Sequence, residues 1–114
     1  HLDLAQELAG WIDDDPDAEV LYDVPFGTVC FRMRPQRYAG RETEPVVAEA
    51  LDALNEAVMN RANASGRLFL SHTRINEVFV LRLVVGNIRT ERRHLEAAWQ
   101  LLRETAVALD PEPA

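Results

Sequence analysis

The run Val78-Phe79-Val80-Leu81-Arg82-Leu83-Val84-Val85 constrains this chain more than any other stretch. It is too short for a helix of ordinary length and rich in β-branched residues, so it reads as a strand. Both of its alternating faces are apolar, so the strand belongs inside a sheet with cover on both sides. Arg82 interrupts it. A guanidinium buried in such a strand needs a partner, because an uncompensated buried charge costs several kcal/mol. Three readings stand. A carboxylate of the protein pairs with Arg82, or a ligand carboxylate or phosphate does, since the planar fork matches either bidentately. In the third, Arg82 lies near a strand end or sheet margin and reaches solvent.

The rest of the chain supplies partners for that strand. Leu4, Leu8, Trp11 and Ile12 recur at helical spacing, and the helix should end near Asp14 or Asp15, before Pro16. It is already in register at His1 without a capping residue, which predicts that the helix was longer and the domain detached from a larger protein. Glu19 to Tyr22 reads as a short strand, and Val24 to Gly27 as a connector. Thr28 to Arg34 alternates, with Val29, Phe31 and Met33 inward and Cys30, Arg32 and Arg34 outward, as in a half-buried strand. Pro35 to Pro45 is a polar loop and the expected mobile segment. A long helix over Pro45 to Ala64 follows, started by proline and stopped by Ser65-Gly66. Leu68 to Ile75 and Val78 to Val85 form a hairpin around Asn76-Glu77. Gly86-Asn87 breaks the strand, and Thr90 is placed to cap a last helix that turns Leu95, Trp99, Leu102 and Ala106 inward. The fold class expected is α+β: a small, mostly antiparallel sheet of about four strands, with three helices mainly on one face. Residues 1–110 form one domain and 111–114 a flexible tail.

Charge and composition exclude several functions. A net charge of −7 repels a phosphate backbone, so nucleic acid is not an expected partner. No apolar run approaches the roughly 18 residues that span a membrane. Cys30 is the only cysteine, so no disulfide framework or cysteine-built metal site forms, and a reducing cytoplasm is expected. All basic residues are arginine; the plainest cause is GC-rich codon usage. Whatever the cause, no Schiff base, lysine general base or phosphate-loop lysine comes from this chain.

Other candidate chemistry falls away on inspection. Asp13, Asp15 and Asp17 imitate the start of a calcium loop, but Ala18 replaces its glycine and Val24 its closing glutamate. His1, His72 and His94 have no second histidine at ligand spacing. Ser71 and His72 are adjacent on a strand, so they point to opposite faces and form no dyad. His94 reads as solvated, and Cys30 has no assignable base.

The stretch from Phe79 to Thr90, followed by His94 and Ala98-Trp99, resembles the C-terminal end of the group II pyridoxal-phosphate-dependent decarboxylases, nearest to the aromatic-L-amino-acid branch. Asp15-Pro16, Val29-Cys30-Phe31-Arg32, Leu54-Asn55, Asn63-Ala64-Ser65-Gly66 and Leu70-Ser71-His72-Thr73 fit the same pattern in order. The resemblance runs from His1 to about Thr105. It implies a fold-type I homodimer whose large domain holds pyridoxal 5'-phosphate through a lysine that this chain lacks. The chain itself would be the small C-terminal domain, packed on the large one. It further implies that Arg82 sits near the active site and binds the carboxylate of an amino-acid substrate. No catalytic, cofactor-binding or metal-binding residue is assigned here. Some relatives use the scaffold for oxidative chemistry that yields aldehydes. The alternative is a free-standing α+β binding or regulatory module without catalysis.

Overall fold

The computed structural model describes residues 4–23, 27–85 and 91–110. Helix α1 (Leu4–Asp14) leads into strands β1 (Ala18–Asp23) and β2 (Thr28–Met33). A short 3-10 helix, Gln36–Tyr38, precedes helix α2 (Pro45–Ala64). Strands β3 (Ser71–Ile75) and β4 (Val78–Val84) follow, then helix α3 (Arg92–Leu109). The four strands form one antiparallel sheet in the order β1-β2-β4-β3. The expected α+β class and the interior place of β4 are both found. The expected start at His1, the 24–26 part of the connector, the Gly86-Asn87 break, Thr90 and the 111–114 tail lie outside the described residues.

One face of the sheet carries the core. Val29, Phe31 and Met33 of β2 and Phe79, Leu81 and Leu83 of β4 meet Leu8 and Ile12 of α1, Leu54 and Val58 of α2, and Leu95, Trp99 and Leu102 of α3. Phe31 and Trp99 meet edge to face, ring centroids 6.2 Å apart, a geometry the ring quadrupoles favour. Asn76 and Glu77 both have positive φ (51° and 68°), which gives the β3–β4 hairpin the twist its strands need.

The other face of β2 corrects the half-buried reading. Cys30 is 3% exposed and Arg32 5%. Arg32 is tolerated there because Glu19, opposite it on β1, accepts its Nε hydrogen at 2.7 Å. Glu19 also takes Arg34 at 3.3 Å, and Glu42 from the following loop takes Arg34 at 3.4 Å. Glu19 thus pairs with two cations, Arg32 on β2 and Arg34 just past its end.

The 35–45 loop also departs from expectation. Asp17 Oδ1 accepts the Gln36 amide hydrogen at 2.8 Å, and Arg37 forks onto the Asp110 carboxylate at the end of α3. That carboxylate raises Arg37 above the ordinary arginine value. Arg37 also lies over the Tyr38 ring, 4.5 Å from its centroid. The loop is fastened at its start through Gln36 and Arg37, and further along through Glu42 to Arg34.

Helix α2 holds the sheet through polar side chains. Asn55 is fully buried; its Oδ1 accepts from Met33 N at 2.8 Å and its Nδ2 donates to Met33 O at 2.9 Å. It stands where another strand would bond β2. Asp52 Oδ1 accepts from Phe79 N at 3.1 Å. Asn63 exchanges two bonds with the Leu70 backbone, at 2.7 and 2.9 Å. That exchange explains why β3 starts at Ser71 and not at Leu68: the main-chain groups of Leu70 are engaged by a side chain. Asn55→Leu, which keeps the volume but leaves two buried main-chain groups unbonded, is expected to destabilise the chain by about 2 kcal/mol. Urea unfolding should show the midpoint falling with the slope unchanged.

Candidate functional site: the sheet face around Arg82

Arg82 lies between Leu81 and Leu83, whose side chains face the helices, so its own projects from the opposite side of the sheet. Cys30 stands across from it on β2 and Ser71 on β3. The three residues therefore form a row across the sheet: a buried thiol, a half-buried guanidinium and an exposed hydroxyl. Directly opposed side chains in such a ladder have Cβ atoms about 5 Å apart. Beyond this row, Val84 is 62% exposed. In the other direction lie buried Val80 and the Arg32–Glu19 pair.

Of the three readings of Arg82, the intramolecular ion pair is not found: Arg82 has no hydrogen-bond or salt-bridge partner among the described residues. Nor is it fully buried, as the apolar run suggests; it is half-buried in a row that is open at Ser71. Glu19, the carboxylate on the neighbouring strand, already serves Arg32 and Arg34. The arrangement is a cation on an interior strand whose side chain has no bonded acceptor among the described residues. Chemically it can bind a carboxylate or phosphate and orient it. It cannot by itself make or break a bond.

The other residues singled out in the sequence take structural places. His72 lies on the opposite face from Ser71, stacked on Phe79 with ring centroids 4.7 Å apart. Asp15 accepts the Asp17 amide hydrogen at 2.9 Å and pairs with Arg103 at 3.1 Å, so the acidic turn ties α1 to β1 and α3. A groove of about 670 Å³ runs between this turn, Met33, Gln36 and the end of α3. Its charged lining is internally paired, Arg103 with Asp15 and Arg37 with Asp110, and it lies away from the Arg82 row. Sequence reasoning missed two residues: Glu19, whose role appears only when β1 and β2 are put in register, and His94, which is engaged in the start of α3. No helix among the described residues is long and apolar enough to cross a membrane.

No family model matches the chain. It is 35% identical over 106 residues to tryptophan decarboxylase TDC1 of Camptotheca acuminata, covering 93% of this chain and 20% of that protein. It is 34% identical to the phenylacetaldehyde synthase of Arabidopsis thaliana, again over 93% of the chain and 20% of the relative. The chain thus spans about a fifth of the length of these relatives. In three dimensions it superposes on a crystal structure of Oryza sativa TDC with PLP and tryptamine, with a TM-score of 0.80 and 31% identity, covering 94% of this chain and 22% of that one. In sequence and in fold, the chain is similar to a domain-sized part of these decarboxylases, as the small C-terminal domain of a group II pyridoxal-phosphate-dependent decarboxylase would be.

Proposed function

We propose that this chain serves as the small C-terminal domain of an amino-acid decarboxylase acting on aromatic L-amino acids. The observation that carries the reading is Arg82, a half-buried guanidinium with no acceptor among the described residues, in a domain similar to these enzymes over nearly all of its length. In this reading the Arg82 face turns toward the large domain, and the guanidinium receives the substrate carboxylate. The intact protein is a cytoplasmic homodimer. Pyridoxal phosphate, when bound, supplies an electron sink for loss of carbon dioxide. This chain has no lysine, so it cannot anchor that cofactor, and no cofactor-holding residue is assigned to it. Its own work is to orient the substrate and close one side of the site.

The test is the intact protein with its cofactor, supplied with tryptophan, tyrosine or phenylalanine. Stoichiometric carbon dioxide and amine are expected; no carbon dioxide from any of them would remove the reading. A second outcome has a specific motive, the likeness to a phenylacetaldehyde synthase. Aldehyde in place of amine, with oxygen consumed, would keep the domain and change the reaction.

A further inference from the structure

We infer that Ser71 is a second anion-holding residue beside Arg82, its hydroxyl donating to the carboxylate that the guanidinium receives. This rests on the proposed role of Arg82 and adds to it a residue from another strand. Two arginines, Arg32 and Arg82, stand on this face of the sheet, and their cross-strand neighbours differ. Arg32 is opposite Glu19 on β1, and the two are bonded at 2.7 Å. Its charge is satisfied within the fold. Arg82 is opposite Cys30 on β2 and Ser71 on β3, and neither is a carboxylate. A carboxylate at either place would neutralise Arg82 as Glu19 neutralises Arg32. A hydroxyl does the reverse. It adds a donor without adding charge, so it joins the guanidinium in holding an anion.

Burial decides which flank of Arg82 can act. Cys30 is 3% exposed, and a thiol is a weak donor. Ser71 is exposed, and its hydroxyl has no hydrogen-bond partner among the described residues. Directly opposed residues on antiparallel strands share a face, with Cβ atoms about 5 Å apart. An anion bridging guanidinium and hydroxyl fits that spacing. Thr73, the next residue of β3 on this face, is opposite buried Val80 and so stands one step away. The place of Ser71 is fixed from both sides. Asn63 grips the main chain of Leu70 just before it, and the hairpin ladder runs from Ser71 to Ile75. Such a pair discriminates by chemistry. An amino acid brings a carboxylate; the amine that remains after carbon dioxide departs has none. Neither Ser71 nor Arg82 then keeps an acceptor, so the pair favours entry of the acid over retention of the amine.

The experiment titrates acetate into the 114-residue chain at low salt and follows the main-chain amide signals of Ser71 and Arg82. The parent chain should show saturable shifts at both. Ser71→Ala should bind about 5-fold more weakly, the loss of one exposed hydrogen bond to an anion. Ser71→Thr keeps the hydroxyl and should stay within about 2-fold of the parent. Ser71→Asp recreates the Arg32–Glu19 arrangement and should abolish binding as fully as Arg82→Ala. A Ser71→Ala chain that binds acetate as tightly as the parent, or a parent that shows no saturable binding, overturns the inference. The intact protein gives a second readout. There Ser71→Ala should raise KM for an aromatic amino acid about 5-fold and leave inhibition by the corresponding amine unchanged. Equal weakening of both would make Ser71 a structural residue only. The failures are distinguishable. Loss with Arg82→Ala but not with Ser71→Ala removes Ser71 alone. An intact protein that releases no carbon dioxide removes the decarboxylase reading, and the acetate titration still decides the anion site.

Discussion

Glu19→Ala is expected to destabilise the chain by about 4 kcal/mol, a large share of the ~5–15 kcal/mol that holds a domain of this size. The cost is not the lost attraction but what is left behind. Arg32, its side chain 6% exposed, would keep its charge without the acceptor at 2.7 Å, and Arg34 would retain only Glu42. Removing one partner of a buried pair is the expensive change, whereas replacing both with apolar residues is often near neutral. The double variant Glu19→Val, Arg32→Val should therefore regain most of the loss. Chemical denaturation of Glu19→Val, of Arg32→Val and of the double variant closes the cycle. A Glu19→Ala loss under about 1 kcal/mol, the range of surface pairs, would mean that the network is effectively solvated.

The second large effect concerns activity. Under the proposed function, Arg82→Ala in the intact protein is expected to lower kcat/KM by about 100-fold, the loss of one bidentate charged contact, or roughly 2.7 kcal/mol. The domain itself should be unharmed, because no described residue bonds to the Arg82 side chain, and the main-chain ladder is kept. Cofactor absorbance and the unfolding midpoint should both stay at parent values. Arg82→Lys keeps the charge but loses the planar fork, so an intermediate rate is expected. If binding is felt equally in the ground and transition states, the change will sit in KM; if the contact tightens during the reaction, kcat will fall as well. Steady-state kinetics with an aromatic substrate separates these outcomes. Unchanged kinetics would leave Arg82 without the assigned role.

Where local chemistry dominates, the fold was readable in advance. Pro45 and Ser65-Gly66 bracket α2 at the observed limits, because a proline start and a glycine stop act within a few residues. The apolar run around Phe79 located the interior strand for a similar reason. What escaped depends on partners distant in the chain. Alternation in β2 implied an outward Cys30 and Arg32, and only Glu19, across the sheet, explains their burial. The 35–45 segment looked free because Asp110, which holds Arg37, lies far along the sequence. At α3 the N-cap is Glu91, whose main-chain N–H is accepted by His94 Nδ1, a pairing that the usual capping residues do not announce. Arg82 was legible as an anomaly. Its lack of a partner was not, because that depends on what every neighbour already bonds.

Asp52, Asn55 and Asn63 can be considered together as marks on a single ruler. At about 100° per residue they fall within an arc of roughly 80° on α2, and each grips the main chain of a different segment: Phe79, Met33 and Leu70. A rigid rod with three such grips sets distances, not only contacts. It follows that α2 is more tolerant of altered residues than of altered length. One residue inserted between Asn55 and Asn63 would swing the last grip about 100° away from the others. The beginning of β3 would then lose its reference point, although every original side chain was still present.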